Sequence, residues 1–318
     1  MDGLISVRDD VALALKRQAP VVALESTVIA HGLPRPHNLE TARKMEAAVR
    51  EAGATPATIG ILDGKMVVGF TNEQLAFLAE AKDVAKVSRS DVSAVLASGR
   101  PGATTVAGTM FIAARADVHV LATGGVGGVH RGSENTYDVS ADLTELSRTP
   151  VAVVCTGAKA ILDLPRTVEV LETLGIPVVG YGTNEFPAFY SRESGLPLQH
   201  RVDSPDDAAR LIRIQWDLGS FEQGFGAGVV IVNPPSAESA LPRAEIESLV
   251  ASAMQAAELA SIRGKSVTPF LLEEVGRTSR GKTLETNIAL LIANARLAAR
   301  IAVAYSAQNS RGQRAVSH

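Results

Sequence analysis

Short apolar runs rich in valine and isoleucine alternate with longer amphipathic stretches through most of the chain. Most of these runs lack alternating polar positions, so they predict strands that are buried on both faces of a sheet. The longer stretches have the periodicity of helices. Strands that alternate with helices are typical of an α/β protein with a mostly parallel sheet. The predicted strands cover residues 20–25, 58–62, 118–122, 151–155, 177–180 and 228–232, and the predicted helices cover residues 38–52, 72–81, 162–174, 206–218, 243–263 and 284–304.

This pattern predicts a three-layer α/β/α fold with a large central mixed, mostly parallel sheet. A large sheet of this kind can hold most of the 318 residues in one core. No internal repeat and no linker rich in proline, glycine or serine divides the chain, so we assign residues 1–305 to one domain. Residues 306–318 lack apolar periodicity and are expected to form a disordered tail.

The charge balance favours a small-molecule substrate over nucleic acid or a membrane. The chain has 31 basic and 34 acidic residues, a net charge of −3, and no basic block. The single cysteine, Cys155, cannot form an internal disulfide and lacks the neighbours of a zinc site. The first 20 residues are interrupted by charges, so no signal peptide is indicated. These features predict a cytoplasmic protein.

The apolar segment at residues 288–304 has polar interruptions at Asn294, Arg296 and Arg300. It is also shorter than the ~20 residues that a membrane-spanning helix needs. We therefore expect a helix that packs on the protein core.

Lys159 follows a predicted buried strand, where the sequence predicts that a helix begins. Ligands of parallel α/β sheets bind at the carboxyl ends of the strands. Partial burial and the positive end of a helix dipole would both favour the neutral amine, which is the nucleophilic form. A solvated lysine in the first turn of a helix is the alternative interpretation.

Glu25 ends another apolar strand and is followed by Ser26 and Thr27. A carboxyl group in apolar surroundings holds its proton more readily, as a general acid requires. The alternative is a solvated glutamate at a strand end or near the start of the next turn.

Residues 122–132, ATGGVGGVHRG, form a glycine-rich segment after a predicted strand. Such a segment allows backbone N–H groups to approach an anionic ligand closely. It is not a dinucleotide-binding fingerprint, because His130 stands where the third glycine is required. Asp138 and Asp142 follow, with Ser140 between them, and could hold a hard cation and orient a sugar or phosphate. A turn without a ligand and an aspartate that caps a helix are the alternatives.

Residues 101–109 are small and hydroxylic and could line a phosphate site together with Lys86 and Arg89. A turn of small residues packed on a neighbouring helix is the alternative interpretation.

Residues 276–283, GRTSRGKT, match the P-loop pattern G-x-x-x-x-G-K-[ST]. A working P-loop follows a buried strand, whereas the preceding residues 268–274 are predicted to be helical. Only 35 residues follow Thr283. The sequence context therefore argues against a nucleotide-binding P-loop.

The chain resembles the pseudouridine-5′-phosphate glycosidase family, also called the indigoidine synthase A-like family. The matching stretches follow in order through nearly the whole chain. Thr156 stands where the family pattern has alanine, and Asn233-Pro-Pro stands where a similar NP-x-P turn is expected. Neither departure changes a candidate catalytic side chain. The matching stretches are ALESTVIAHGLPRPHNLETA, KVSRSD, GATTVAGTM, ATGGVGGVHRG, YDVSADLTEL, VVCTGAKAILDL, LETLGIPVVGY, FPAFY, TPFLL and LETNIALLIANA.

The resemblance implies reversible cleavage of the C–C glycosidic bond of pseudouridine 5′-phosphate to uracil and ribose 5-phosphate, in pseudouridine catabolism. It also implies a lysine–sugar adduct, a divalent metal that is typically Mn²⁺, and a homotrimer. Lys159 would be the nucleophile, Glu25 the proton donor and Asp138 the metal ligand. The implied contacts to the substrate and its phosphate are Lys86, Thr105, Val106, Ser140, Ala141 and Asp142, with His130 and Asn287 lining the pocket.

The chemistry of the bond agrees with these implied roles. Hydrolysis by two carboxylates, the common glycosidase mechanism, suits a carbon leaving group poorly. An amine that captures C1′ of an opened ribose can form an imine as the C–C bond breaks. Two alternatives stay open: a C-glycosyl synthase of the same fold that joins ribose 5-phosphate to an aromatic natural product, and a non-catalytic sugar-phosphate binding protein.

Overall fold

A computed structural model describes residues 3–219, 226–262 and 267–316, with side chains up to residue 309. Its described strands are β1 (Ile5–Val7), β2 (Val21–Glu25), β3 (Thr55–Leu62), β4 (Lys65–Val68), β5 (Ala85–Val87), β6 (Gly102–Thr104), β7 (Val120–Ala122), β8 (Ala152–Cys155), β9 (Val178–Tyr181), β10 (His200–Val202) and β11 (Val229–Val232). They form one 11-stranded sheet in the order β1-β4-β3-β2-β7-β8-β11-β9-β10, with β6 pairing with β3 and β5.

The strand pairs are parallel except that β3 is antiparallel to β4 and β6. This confirms the predicted mixed, mostly parallel sheet. All six predicted strands are present. The additional strands, β1, β4, β5, β6 and β10, have three or four residues each. Runs this short carry too little periodicity to be recognised in the sequence.

Helices of varied length connect the strands. They are α1 (Asp9–Lys16), α2 (His37–Glu51), α3 (Asn72–Glu80), α4 (Val92–Ser98), α5 (Val106–Arg115), α6 (Ser133–Thr136), α7 (Ala141–Leu146), α8 (Leu164–Thr173), α9 (Pro205–Gly219), α10 (Arg243–Leu259), α11 (Val267–Thr278) and α12 (Lys282–Val316), with a π-helical turn at Val28–Gly32 and a 3₁₀ turn at Arg89–Asp91. Helix α12 packs on α2 and α9, whereas α5 packs on α7, and both α12 and α5 contact the sheet.

Helix α12 packs on the core, as predicted. Its stretch Lys282–Asn309 is long and apolar enough to cross a membrane by length and composition alone, and a buried core helix passes the same test. Here the helix lies against β2, β7 and β8. Its buried apolar residues include Leu290, Leu291, Ala295, Ala298 and Ile301.

Two predicted boundaries differ from the structure. Helix α12 continues to Val316, so the segment from Ser306 that the sequence assigns to a disordered tail begins in a helix. Ser306 donates a hydrogen bond to the carbonyl of Gln18, which ties this segment to the loop before β2. Residues 317–318 lie outside the described residues. Helix α10 ends at Leu259, and the predicted helix end at residue 263 also lies outside them.

The sheet brings the ends of three parallel strands together. Leu24 of β2 pairs with Ala122 of β7, and Ala122 pairs with Val154 of β8. The carboxyl ends of β2, β7 and β8 therefore meet at one edge. The residues that follow these strands are the ones that carry the candidate chemistry.

Candidate active site

A cavity of about 380 Å³ opens at the carboxyl edge of β2, β7 and β8. Most of the site residues predicted from the sequence line it, whereas Val106 and Arg89 do not. Those that line it are Glu25, Lys86, Thr105, His130, Asp138, Ser140, Ala141, Asp142, Lys159 and Asn287. The topology thus brings together residues that lie far apart in the sequence.

Glu25 is the last residue of β2 and is 5% exposed. Two hydroxyl groups hold its carboxylate: Thr27 donates to Oε2 and Thr123 donates to Oε1. Because the two threonines occupy different loops, both oxygens of Glu25 are fixed in direction. The buried position excludes the solvated alternative.

Lys159 lies in a loop between β8 and α8, so the prediction that a helix begins there is wrong. Helix α8 starts only at Leu164, because Asp163 caps it by accepting a hydrogen bond from the N–H of Arg166 at 3.1 Å. The loop is instead held by a bridge between Val126 and Ala158. The helix dipole that was expected to favour the neutral amine of Lys159 is therefore absent at this position.

The Lys159 side chain is half-buried and lines the cavity. Its backbone N–H donates to the carbonyl of Val126 at 3.2 Å. Among the described residues, no hydrogen bond or salt bridge reaches its amine. The loop is thus fixed while the amine is available to a ligand.

Arg131 supports this loop, a role that the sequence analysis did not identify. Its guanidinium donates to the carbonyls of Leu162 at 3.3 Å and Ala160 at 3.4 Å. It also pairs with Glu247 of α10 at 3.0 Å. Arg131 therefore braces the backbone next to Lys159.

Asp142 connects two walls of the cavity. Its Oδ1 accepts the N–H of Ala107 in α5 at 2.9 Å, and its Oδ2 accepts the N–H of Gly127 at 2.8 Å. Asp142 is 4% exposed. Because each oxygen already accepts a backbone N–H, this carboxylate orders the glycine-rich loop against the start of α5.

Asp138 lies beside His130 in the cavity wall. The distance from Asp138 Oδ2 to His130 Nδ1 is 3.9 Å. Within the described residues, no group of three or more His, Cys, Asp or Glu side chains could hold a metal ion. The predicted pair of Asp138 and Asp142 therefore has no third His, Cys, Asp or Glu side chain grouped with it among these residues.

Burial lowers the pKa of His130 below its ordinary value, although Asp138 opposes this effect. The positive charges of Lys159 and Lys86 lower this pKa further. The imidazole is therefore neutral near pH 7 and can donate one hydrogen bond and accept another.

The start of α5 forms the wall beside Lys86. The Thr105 hydroxyl caps the helix by accepting from the N–H of Gly108 at 3.4 Å. Val106 is fully buried and lies outside the cavity lining. The N–H groups of a helix's first turn favour anions. Lys86 and this helix start therefore suit a phosphate group.

Arg89, predicted beside Lys86 as a phosphate contact, lies outside the cavity lining. Its guanidinium lies 3.6 Å from the centre of the Phe111 ring and 3.8 Å from Glu145. The predicted phosphate contact of Arg89 is therefore not seen, because its guanidinium packs on Phe111 and pairs with Glu145 instead.

Two further lining residues were missed by sequence reasoning. His31 lies in the π-helical turn, and burial together with the charge of Lys86 lowers its pKa. Its Nε2 is buried and has no hydrogen-bond partner among the described residues. Phe189 has a positive φ of 60° and is 3% exposed. Both residues lie in stretches that match the family, and that match is the sequence signal that could have identified them as site residues.

The P-loop-like residues 276–283 lie at the end of α11 and the start of α12. They follow a helix, not a strand. Lys282 pairs with Glu245 at 3.4 Å. The prediction that this segment is not a P-loop is confirmed.

The fold and the cavity define an α/β/α protein whose strand ends present an amine and a carboxyl group to one small-molecule site. The chain belongs to the indigoidine synthase A-like family, whose sequence profile matches residues 10–304. This confirms the resemblance seen in the sequence.

Relatives of known name match nearly the full chain. The pseudouridine-5′-phosphate glycosidase of Caldanaerobacter subterraneus is 52% identical over 303 residues, which cover 95% of this chain and 97% of the relative. That of Herpetosiphon aurantiacus is 54% identical over 295 residues, covering 93% and 96%.

Two solved structures share the fold. The prealnumycin C-glycosynthase AlnA, in complex with ribulose 5-phosphate, has a TM-score of 0.89 and 40% identity, with 98% of this chain and 100% of that chain covered. An indigoidine synthase A-like protein from Thermotoga maritima has a TM-score of 0.85 and 38% identity, with 95% and 97% covered.

Proposed function

We propose that the protein catalyses the reversible cleavage of the C–C glycosidic bond of pseudouridine 5′-phosphate, giving uracil and ribose 5-phosphate. The observation that carries the proposal is one cavity that contains both the amine of Lys159, which has no partner among the described residues, and the buried carboxyl group of Glu25. Relatives at 52% and 54% identity are named for this activity. AlnA, at 40% identity, is in complex with ribulose 5-phosphate, which is an isomer of the proposed product ribose 5-phosphate.

Lys159 acts as the nucleophile. Opening of the ribose ring breaks the C1′–O4′ bond: O4′ takes a proton, the uracil N1 loses one, and a C1′=C5 double bond conjugated with the ring forms. The amine of Lys159 adds to C1′ and forms a C–N bond, and the electron pair of the double bond returns to the uracil ring. When the C1′–C5 bond breaks, its electron pair moves to the uracil ring and the nitrogen lone pair forms an imine with C1′. Water then hydrolyses the imine, which releases ribose 5-phosphate and restores the amine.

Glu25 supplies the proton that uracil C5 needs as the C–C bond breaks. General acid catalysis depends on geometry as well as on protonation. The hydroxyls of Thr27 and Thr123 fix the direction of the Glu25 carboxyl group. Its position at the end of β2 places it next to the loop that follows β7.

The start of α5 binds the 5′-phosphate. Lys86 supplies charge, the hydroxyls of Thr105 and Ser140 supply hydrogen bonds, and the Val106 N–H belongs to the helix terminus. Asp142 holds this helix start against the glycine-rich loop. In this proposal Ala141 and Asp142 shape the binding surface, and His130 and Asn287 line the sugar and base regions.

A divalent metal, Mn²⁺ or a similar ion, fits the site only if substrate or water completes its coordination. Asp138 and His130 offer one carboxylate and one imidazole, and no third such side chain is grouped with them in the described part of the chain. Small divalent ions commonly bind through one or two carboxylates plus water and substrate oxygens. Asp138 would hold the ion, whose charge would help to polarise the sugar oxygens.

We also propose a cytoplasmic homotrimer that acts in pseudouridine catabolism. Its support is the family relationship alone. Light scattering of the purified protein would measure the oligomer, and a mass near three times 33.3 kDa is expected.

The test is to incubate the protein with pseudouridine 5′-phosphate and MnCl₂ and to follow uracil by chromatography. Release of uracil with an equal amount of ribose 5-phosphate is expected. No uracil with or without metal would contradict the proposal. It would leave the sugar-phosphate binding alternative, which retention of ribose 5-phosphate in equilibrium dialysis would identify.

The similarity to AlnA favours a second candidate, C-glycosyl synthesis on an aromatic acceptor. Supplying ribose 5-phosphate with uracil or with a larger aromatic acceptor separates the two. Preference for uracil supports the glycosidase, whereas product formation only with the larger acceptor supports the synthase.

A further inference from the structure

A buried asparagine of α12 contacts the loop that carries Lys159 and also contacts Thr123, whose hydroxyl donates to Glu25. Asn294 is 0% exposed. Its Nδ2 donates to the backbone carbonyl of Thr123 at 2.8 Å and to the Thr156 hydroxyl at 2.9 Å. Its Oδ1 accepts from Asn233 Nδ2 at 3.0 Å. Both amide hydrogens and the amide oxygen are therefore engaged.

The first contact leads to Glu25. Thr123 directly follows β7, and its hydroxyl donates to Glu25 Oε1. Asn294 holds the carbonyl of this same residue. A shift of the Thr123 backbone would therefore turn its hydroxyl away from Glu25 and release one of the two bonds that orient the carboxyl group.

The second contact leads to Lys159. Thr156 directly follows β8, three residues before Lys159. Gly157, between them, has a positive φ of 73°, and a Cβ there would lie 2.4 Å from the carbonyl oxygen of Pro187. The loop therefore leaves β8 along a narrowly defined path. Asn294 fixes the start of that path.

Burying an amide costs free energy unless its hydrogen bonds are satisfied, and a leucine would fill an apolar helix face without that requirement. The neighbouring positions Leu290 and Leu291 are apolar and buried. The hydrogen bonds of Asn294 to the residues that follow β7 and β8 therefore explain why an amide is buried at this position.

We propose that Asn294 is a positioning residue that sets the placement of Glu25 relative to Lys159. The proposal rests on the proposed glycosidase function. Asn294 acts through Thr123 and Thr156 and does not touch the substrate. Its loss should therefore affect the chemical step more than substrate binding.

The test compares kcat and KM for uracil release in Asn294→Ala and in a matched control, Thr286→Ala. Thr286 is also buried on α12, but its hydroxyl donates to the carbonyl of Ser239, away from both loops. A shift of reacting groups by ~1 Å can cost ~100-fold in rate, so we expect Asn294→Ala to lower kcat at least ~10-fold with KM within ~3-fold. The control should keep kcat within ~2-fold.

Combining Asn294→Ala with Thr123→Val supplies a readout that a general loss of stability would not give. Because both changes act on Glu25, the double variant should lose much less kcat than the product of the two single losses. The pH profile of kcat should also shift in both single variants, since each frees the same oxygen of Glu25.

If Asn294→Ala does not fold, Thr156→Ala tests one arm alone, because it removes one bond from Asn294 and leaves the Thr123 contact. A several-fold lower kcat at unchanged KM is then expected. The inference is overturned if the folded Asn294 variant, or Thr156→Ala in its place, keeps wild-type kcat, or if the double variant shows fully independent losses. A wild-type protein that releases no uracil overturns the proposed function itself, so the two failures are distinguishable.

Discussion

Two glycine-containing segments of this chain show that a match to a sequence motif and a position in the candidate active site do not coincide. Residues 122–132 match no nucleotide-binding fingerprint, yet they follow β7 and line the cavity. Residues 276–283 match the P-loop pattern at every position, yet they connect two helices. In this chain, a position at the carboxyl end of a parallel strand therefore predicts a candidate functional site better than a match to a sequence motif does.

The space around the glycines shows why. A Cβ at Gly127 would lie 2.1 Å from Ser140 Oγ and 2.8 Å from Asp142 Oδ2. A Cβ at Gly276 would have nothing within 4 Å. The first segment needs glycine for close approach of the walls of a site, whereas the second has no such requirement.

The largest expected effect is at the strand-end loop after β8. Lys159→Ala should abolish turnover while folding and substrate binding are kept, because the side chain serves chemistry and not packing. Steady-state uracil release and thermal melting would measure this. A variant that keeps more than about a hundredth of the wild-type rate would show that Lys159 is not a covalent nucleophile.

The next effect concerns the 5′-phosphate. A charge-assisted hydrogen bond contributes ~1.5–3 kcal/mol, so two or three such bonds from Lys86, Thr105 and Ser140 could supply several kcal/mol. Replacing pseudouridine 5′-phosphate with pseudouridine should lower kcat/KM by on the order of a thousandfold. Comparable values for the two substrates would assign these residues another role.

Paired glycine substitutions test the comparison directly. Gly127→Ala should displace Ser140 or Asp142 and lower kcat/KM by ~10-fold to ~100-fold. Gly276→Ala, in a helix and in open space, should keep activity and raise stability by ~0.5–1 kcal/mol. Equal activity in the two variants would remove the distinction between the segments.

Asp138→Asn should weaken the dependence on metal more than it weakens folding. The amide keeps the shape of the side chain but loses the charge that attracts a hard divalent cation. Activity should partly recover at high MnCl₂ in a titration. An unchanged metal-activation curve would remove Asp138 as the ligand.

The smallest effect is expected at the P-loop-like segment. Lys282→Ala removes an exposed pairing with Glu245, and such surface pairs contribute ~0–1 kcal/mol. Uracil release should change by less than ~2-fold, and neither protein should hydrolyse ATP. ATP hydrolysis by the wild type that Lys282→Ala abolishes would restore the P-loop interpretation.

The sequence predicted the parts of the site that follow strands. Glu25, Lys159 and Asp138 were identified from their positions at or after apolar strands, and the family resemblance added Asn287. The local pattern failed where tertiary contacts decide the structure. One such case is the start of α8: Asp163 caps this helix, so the helix begins after Lys159 and Lys159 lies in a loop.

Contacts between distant positions were beyond sequence reasoning. Asn294 was noted only as a polar interruption in an apolar helix, since its partner Thr123 lies 171 residues away. Arg131 lies in the glycine-rich segment whose backbone is predicted to approach an anion, yet its guanidinium binds backbone carbonyls and Glu247. Its partners come from separate elements, and only the folded chain reveals them.

The central claim, that the amine of Lys159 bonds to the sugar, can be tested by trapping the imine. The protein is incubated with ribose 5-phosphate and sodium borohydride, which reduces a C=N bond to a stable amine, and peptides are analysed by mass spectrometry. The account predicts one sugar-phosphate adduct per chain, located on Lys159 and absent from Lys159→Ala. An active enzyme that forms no adduct, or forms it on another lysine, would contradict it.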